Sequence, residues 1–362
     1  MNPYFPEIKK NFGFGCMRFP TVNDQVDIPA VTEMVDAFLA AGFNYFDTAR
    51  PYHSGASEAV LRQCLTSRYP RDRFVLTDKL SPNFFEKEED IVPLFEDQLK
   101  TCGVDYFDFY LFHANSAKRH EFFRSTRAYD IVQDLKRQGK IRHVGMSFHD
   151  SAEVLDRILT ERPEIEVVQL QFNYVDYEDP RVQSRACYEV CRRHGKPVLV
   201  MEPVKGGSLV NLPPKALERI PSGSPASLAI RFAAGFEGIF MVLSGMSSME
   251  QVRDNLSYMA DFQPLSEEEM AVVDRVRTLY QAQHRIPCTA CRYCTDGCPA
   301  GIAIPELFAC LNDKREGKED ADARYAAFPV RADACLECGQ CETACPQHLH
   351  IRELLKEVSA AF

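Results

Sequence analysis

The chain has 362 residues, 45% of them hydrophobic, enough to bury one large core and a smaller second unit. Its 52 acidic residues outnumber 42 basic ones, and the net charge of −10 repels phosphate backbones, which argues against nucleic acid as a partner. The first ten residues carry no apolar signal core, and no run of about eighteen apolar residues follows, so the expectation is a cytoplasmic protein without membrane contact.

In chain order, Phe12-Gly-Phe-Gly-Cys-Met17 reads as a short strand, and residues 29–41 follow with helical spacing up to Gly42. Phe43 to Asp47 is a buried strand ending in a carboxylate, with Tyr52 beyond a proline. The pattern then repeats: a helix from Ser57 to about Ser67, a strand Phe74–Lys79, a helix over about 88–102, and a strand Tyr106–His113. A helix over about 125–138 precedes the strand Arg142–Ser147, and one over about 151–161 precedes Val167–Gln171. A helix over about 181–194 leads to Pro197–Met201, one over about 224–234 leads to Ile239–Ser244, and the last runs over about 248–260.

Eight strands alternating with eight helices over about 250 residues predict an α/β fold, a (β/α)8 TIM barrel spanning residues 1–262. An open doubly wound sheet is the alternative, but no Gly-x-Gly-x-x-Gly follows the first strand. In such barrels the C-terminal strand ends build the site. Asp47, Lys79, His113, Ser147, Gln171, Glu202 and Ser244 each fall at or just beyond the end of a different strand, which predicts a polar mouth on an apolar core.

Within that mouth, a lysine ammonium beside a phenol would draw its acidity down from ~10, an aspartate would hold the lysine in place, and an imidazole would orient a carbonyl or pass a proton. Tyr52, Lys79, Asp47 and His113 make that set. Taken singly, each has a plainer role: Asp47 and Lys79 an ordinary ion pair, His113 a core histidine.

With Asp47-Thr-Ala-x-x-Tyr52, Lys79 closing its strand and Leu111-Phe-His113 closing the next, the chain from about Phe12 to Phe262 resembles the aldo/keto reductases. The resemblance implies a catalytic tetrad of those four residues, with Tyr52 as general acid, and NAD(P)H exchanging hydride with a small carbonyl or alcohol substrate. It also implies nicotinamide contacts from Ser147 and Gln171, with Met201 where an aromatic ring usually stacks. Gly207, Ser208 and Leu209 would flank the phosphates, and Ser244, Gly245, Gln251 and Asn255 the adenosine side. Phe148 stands where the family usually has asparagine, and Gly245-Met246 and Gln251 replace the usual cations for a 2′-phosphate, leaving Arg253 or Lys205 as substitutes.

The C-terminal part carries the more specific motif. Cys288-x2-Cys291-x2-Cys294-x3-Cys298-Pro recurs as Cys335-x2-Cys338-x2-Cys341-x3-Cys345-Pro, and three thiolates so spaced hold one [4Fe-4S] cluster while the fourth crosses to the other. One cluster thus takes Cys288, Cys291, Cys294 and Cys345, the other Cys335, Cys338, Cys341 and Cys298. Residues 284–362 resemble a bacterial two-cluster ferredoxin with a charged insert over 312–324, expected to be a solvated excursion in a small α-helical, ferredoxin-like domain. The other six cysteines read as buried hydrophobes, His348 and His350 as exposed turn residues, and Phe84-Phe85 and Phe122-Phe123 either as pocket lining or as loop packing.

A capping box, Ser266-Glu-Glu-Glu269, opens a connector helix over 263–283 that would carry the clusters back to the barrel mouth. Clusters pass single electrons and nicotinamide passes two, so three arrangements compete. The barrel works with NAD(P)H while the clusters are structural or regulatory. Alternatively the clusters feed a flavin or the substrate, or the barrel is the scaffold of an electron carrier docking on a redox partner protein.

Overall fold

A computed structural model describes residues 3–220 and 223–362. Eight parallel strands close into a barrel: β1 (Phe12–Gly15), β2 (Tyr45–Asp47), β3 (Val75–Leu80), β4 (Phe107–Asn115), β5 (Ile141–Phe148), β6 (Val167–Gln171), β7 (Val198–Met201) and β8 (Ile239–Ser244). Each pairs with its sequence neighbour, and β1 closes on β8 through Phe12 opposite Val242. The strand bounds read from sequence agree with these to within two residues.

Because side chains alternate along a strand, one register sorts the interior from the wall. Tyr45, Val75, Phe109, Leu111, Val167, Leu199, Met241 and Leu243 fill the barrel interior together with Phe5 and Ile8 from the N-terminal segment. Two residues further along the same strands come Asp47 after Tyr45, His113 after Leu111 and Met201 after Leu199, so the same alternation that packs the floor presents polar groups at the mouth. Gly145 is required at this floor: a Cβ there would lie 2.4 Å from a Val167 methyl and 2.7 Å from Leu111. The alternate, even-numbered strand residues, among them Phe12, Phe46, Leu76, Tyr110, Val168 and Val200, pack outward against the helices in a larger apolar shell.

Several local features depart from the sequence reading. The helix read over 125–138 is Ala128–Arg137, and a further helix, Ala117–Ser125, precedes it, the two separated where Arg127 takes a left-handed backbone (φ 52°). The helix from Ser57 widens after Leu61 into a π turn, Arg62–Thr66. A small hairpin, Thr21–Val22 with Gln25–Val26, turns on Asn23 and Asp24, both left-handed, as its two-residue loop demands.

The connector forms the helix Glu267–Gln281, its capping box intact and Glu269 held by Arg231 at 2.6 Å. Val272, Val273, Val276 and Tyr280 sink into the barrel's outer shell, and the Tyr280 hydroxyl reaches Ser208 at 3.0 Å, beside the mouth. Beyond it the C-terminal domain is helical, with Ile304–Arg315, Ala321–Ala326, Gln340–Ala344 and Ile351–Ala361 around a separate small core. The insert over 312–324 is no free excursion. Asn312 is buried and bonds both the N–H and the carbonyl of Ile286, while Asp313 is held by Lys318 and Arg324. No helix among the described residues is long and apolar enough to cross a membrane.

Candidate active site

Asp47 and Lys79 meet inside the mouth, both almost fully buried. Lys79 Nζ donates to Asp47 Oδ1 at 2.6 Å and to the Thr48 carbonyl at 2.7 Å, and Gln169 approaches the other carboxylate oxygen at 3.4 Å. Burial pushes the Asp47 carboxyl up, against the pull of Lys79. Tyr52 opens a tight turn after Pro51, and Lys79 Nζ stands 4.9 Å from the centre of its ring. The rings of Tyr52 and His113 meet edge to face at 6.0 Å. Structure thus brings the four residues together. His53, Ser54 and Ala114, each just beyond one of them, take left-handed backbone, as strained positions near reaction sites often do.

The phenol differs from the sequence expectation. Its pKa lies well above the ordinary tyrosine value because it is buried and faces Asp47, and the one hydrogen bond acting to lower it comes from Tyr293. Lys79 has committed donors to Asp47 and Thr48, which explains why it does not acidify the phenol in this arrangement. His113 is held well below its usual value, first by burial and then by Lys79, so its imidazole is neutral. Ser81 Oγ pairs with His113 Nδ1 at 2.6 Å, leaving Nε2 facing the mouth.

A cavity of about 650 Å³ runs from this group along the barrel rim. Of the residues expected along a cofactor, Gln171, Met201, Gly207, Ser244, Gly245, Gln251 and Asn255 line it, whereas Ser147, Ser208 and Leu209 do not. Ser147 Oγ instead accepts from the Ala114 N–H at 2.7 Å, Ser208 donates to the Lys205 carbonyl, and Leu209 packs in the core. Gln171 exchanges two amide hydrogen bonds with Gln347, at 3.0 and 2.8 Å, and donates a third to Asp176. Lys205, a candidate for the missing cation, is buried against Asp176 and Gln347, and Arg253 does not reach the cavity. The charged lining is Arg18, Asp47, Glu202, Glu250 and Asp254. Arg18 itself is bound to the Thr289 carbonyl at 2.6 Å, while Glu202 leaves one buried carboxylate oxygen without a partner.

The C-terminal domain contributes to the lining as well, with Cys291, Tyr293, Pro346 and Gln347. The domain is seated tightly there. A Cβ on Gly206, whose φ is 62°, would stand 2.5 Å from the Thr289 carbonyl oxygen. Each cysteine quartet surrounds its own small cavity, Cys288, Cys291, Cys294 and Cys345 in one, Cys298, Cys335, Cys338 and Cys341 in the other. Apolar side chains complete both walls, Phe308, Leu349 and Ile351 on the first and Ile302 and Leu355 on the second. Among the described residues no group of thiols, imidazoles and carboxylates gathers as a single-ion site. Two four-thiol rings, each about a space, fit the donor set of an iron-sulfur cube.

The other six cysteines are buried. Phe85, Phe122 and Phe123 pack on one another, with Phe85 5.1 Å from Phe122, and lie outside the large cavity. His348 is partly covered and faces His149 beside a small pocket, while His350 is exposed. Sequence reasoning missed Tyr293 and Gln347, which look like filler between and after cysteines. Their only signal was position, since a loop tied by neighbouring thiolates projects what lies between them in a fixed direction.

Residues 11–278 match the sequence model of the Aldo/keto reductase family, and residues 287–349 that of the 4Fe-4S dicluster domain. An NADH-specific methylglyoxal reductase of Escherichia coli (strain K12) is 23% identical over 275 residues, covering 62% of this chain and 81% of that protein. An aldo-keto reductase of Mycolicibacterium vanbaalenii is 28% identical over 249 residues, covering 67% and 81%. Among solved structures, the holo form of an aldo-keto reductase from Bacillus halodurans is similar with a TM-score of 0.62 at 24% identity, covering 74% of this chain and 92% of that one. An aldo-keto reductase from Klebsiella pneumoniae in complex with NADPH gives a TM-score of 0.60 at 22% identity, covering 75% and 95%. At such identities the solved structures speak for the fold alone.

Proposed function

This chain belongs to the aldo/keto reductase family, and from that premise we propose that it reduces a small carbonyl compound, or oxidises the matching alcohol, with a nicotinamide cofactor, and that its C-terminal domain holds two [4Fe-4S] clusters for electron transfer. The observation that carries this reading is the buried Asp47–Lys79 pair at 2.6 Å beneath Tyr52 and His113, at one end of a cavity large enough for a dinucleotide. A bound nicotinamide supplies or accepts hydride, and the clusters supply single electrons.

The chain's own groups do the rest. Burial keeps the Tyr52 phenol protonated, the form a general acid needs before reduction. Its proton passes to the carbonyl oxygen, and Lys79, its donors committed to Asp47 and Thr48, stands 4.9 Å from the centre of the ring that gives it up. In the tautomer in which Ser81 donates to Nδ1, the proton of neutral His113 sits on Nε2 and orients the same oxygen. Along the rim, Gly207 and Gly245 offer backbone to phosphates, and Asn255, bonded to Ser244 at 2.8 Å, offers a fixed amide. Cys288, Cys291, Cys294 and Cys345 would hold the cluster nearer the mouth, and Cys298, Cys335, Cys338 and Cys341 the other.

Carboxylates outnumber the one arginine in the lining, which favours NADH over NADPH, whose 2′-phosphate would find no free cation. The Escherichia coli relative is described as an NADH-specific methylglyoxal reductase, so small 2-oxoaldehydes are the first substrates to try. A second reading, in which the clusters deliver electrons to the substrate itself, draws on Cys291, a cluster ligand that lines the substrate cavity. No residue of the cavity lining calls for a flavin, and a mere scaffold has no use for a buried Lys79 under Tyr52. The test is protein purified under argon, assayed for iron and for aldehyde-dependent oxidation of NADH and NADPH. About eight irons per chain and turnover with NADH support the reading. Turnover with a reduced viologen but neither nicotinamide moves it to the second.

A further inference from the structure

The barrel's reaction group is not closed by barrel residues alone. Tyr293, set between the cluster ligands Cys291 and Cys294, extends into the mouth and places its hydroxyl 3.4 Å from His113 Nε2. Its ring meets the imidazole edge to face at 6.2 Å, and Tyr293 is also the neighbour that acts to lower the pKa of the Tyr52 phenol. An oxygen atom that meets Tyr52 and His113 together stands where a carbonyl oxygen must stand to be oriented by one and protonated by the other.

We infer that the Tyr293 hydroxyl occupies the place of the reacting oxygen, so that a carbonyl compound enters only by displacing it, and the cluster loop thereby sets which substrates the barrel accepts. This rests on the reading of Tyr52 and His113 as the pair that binds that oxygen. The loop is built for a fixed projection. Ala290 and Arg292, on either side of Cys291, both take left-handed backbone at φ 52° and 64°, which non-glycine residues adopt only where the surroundings impose it. Arg18 pins the loop from the barrel side through the Thr289 and Ala290 carbonyls at 2.6 and 3.4 Å, and Gly206 lets Thr289 approach. A phenylalanine at 293 would pack equally well, so the hydroxyl is the part that packing does not explain. Its removal frees the oxygen position, while removal of the ring widens the entrance.

The test uses holoenzyme, with iron content and visible absorbance checked against wild type. Tyr293→Phe should lower KM for methylglyoxal by about 3- to 10-fold with kcat within about 2-fold, the effect of deleting one or two modest hydrogen bonds that hold the site shut. Tyr293→Ala should raise kcat/KM for a bulky aldehyde such as benzaldehyde by at least about 10-fold relative to methylglyoxal. A fall of about 100-fold in kcat for Tyr293→Phe at unchanged KM would make Tyr293 a donor to the substrate and overturn the inference, as would unchanged KM and unchanged selectivity in both variants. If wild type turns over no carbonyl with either nicotinamide, the proposed function fails on its own. Calorimetric titration with unreactive propionamide then decides about Tyr293: tighter binding to both variants than to wild type keeps the inference, equal binding overturns it. Tyr293→Leu replaces either variant that loses iron.

Discussion

In the barrel, Asp47 and Lys79 lie 2.6 Å apart inside an apolar shell that every strand and most helices help to close. In residues 284–362 the decisive side chains are cysteines, and the core around them is small, gathered from short helices and the cluster-facing sides of Ile302, Phe308 and Leu355. One unit holds its polar groups because its hydrophobic layers are complete. The other, of a size where a core alone rarely supplies more than about 3 to 5 kcal/mol, depends on what the thiols bind. The two meet where neither is self-sufficient: Gln171 pairs with Gln347, Arg18 with the loop at Thr289, His113 with Tyr293.

This contrast gives graded ways to break the molecule. The largest effect is expected from Lys79→Met. It leaves Asp47 buried without its cation, at a cost of about 3 to 5 kcal/mol in denaturant unfolding. Turnover should fall with it, whereas a loss below about 1 kcal/mol would mean the pair is not held as described. Next, removal of iron by a chelator should abolish the thermal transition of the C-terminal domain and leave the barrel's far-UV signal largely intact. Joint collapse of both units would show that the barrel is not independent.

Smaller effects sharpen the picture at the rim. NADPH should show a KM about tenfold above that of NADH, a difference of roughly 1.4 kcal/mol, and Glu250→Arg should narrow the gap. A pH effect is of similar size. Burial first, then Arg119 and His348, bring His149 down to about 3, against about 6.5 in an unfolded chain. The folded state therefore refuses a proton that the unfolded state takes up, so stability present above about pH 6.5 declines as pH falls below it, by about 2 kcal/mol at pH 5. His113 acts in the same direction. His149→Gln should remove that part of the decline, measured as the difference in unfolding free energy between pH 7 and pH 5.

The barrel was legible because its strands follow a period of two and its helices end at glycines, and both patterns are local. Asp47, Lys79 and His113 could be placed because each ends a strand at the face where parallel barrels work. The cysteine quartets were legible from spacing alone. The acidity of Tyr52 was not, since it depends on how Lys79 distributes its donors between Asp47 and Thr48, and on how completely the mouth is covered. Nor were the roles of Gln171 and Lys205, whose partners lie far along the chain at Gln347. The helix Ala117–Ser125 was hidden because it buries only His120 and Phe123, too few positions to show a period, and the burial of Asn312 because its partner, Ile286, lies on the far side of the first cysteine motif.

The most direct measurement is the turnover of Tyr52→Phe holoenzyme, carrying its full complement of iron, with NADH, NADPH and a reduced viologen in turn. A shared cavity in which Tyr52 delivers the proton predicts a loss of at least about 100-fold with whichever donor drives the wild type. Wild-type rates with that donor would remove Tyr52 from the chemistry and contradict the account.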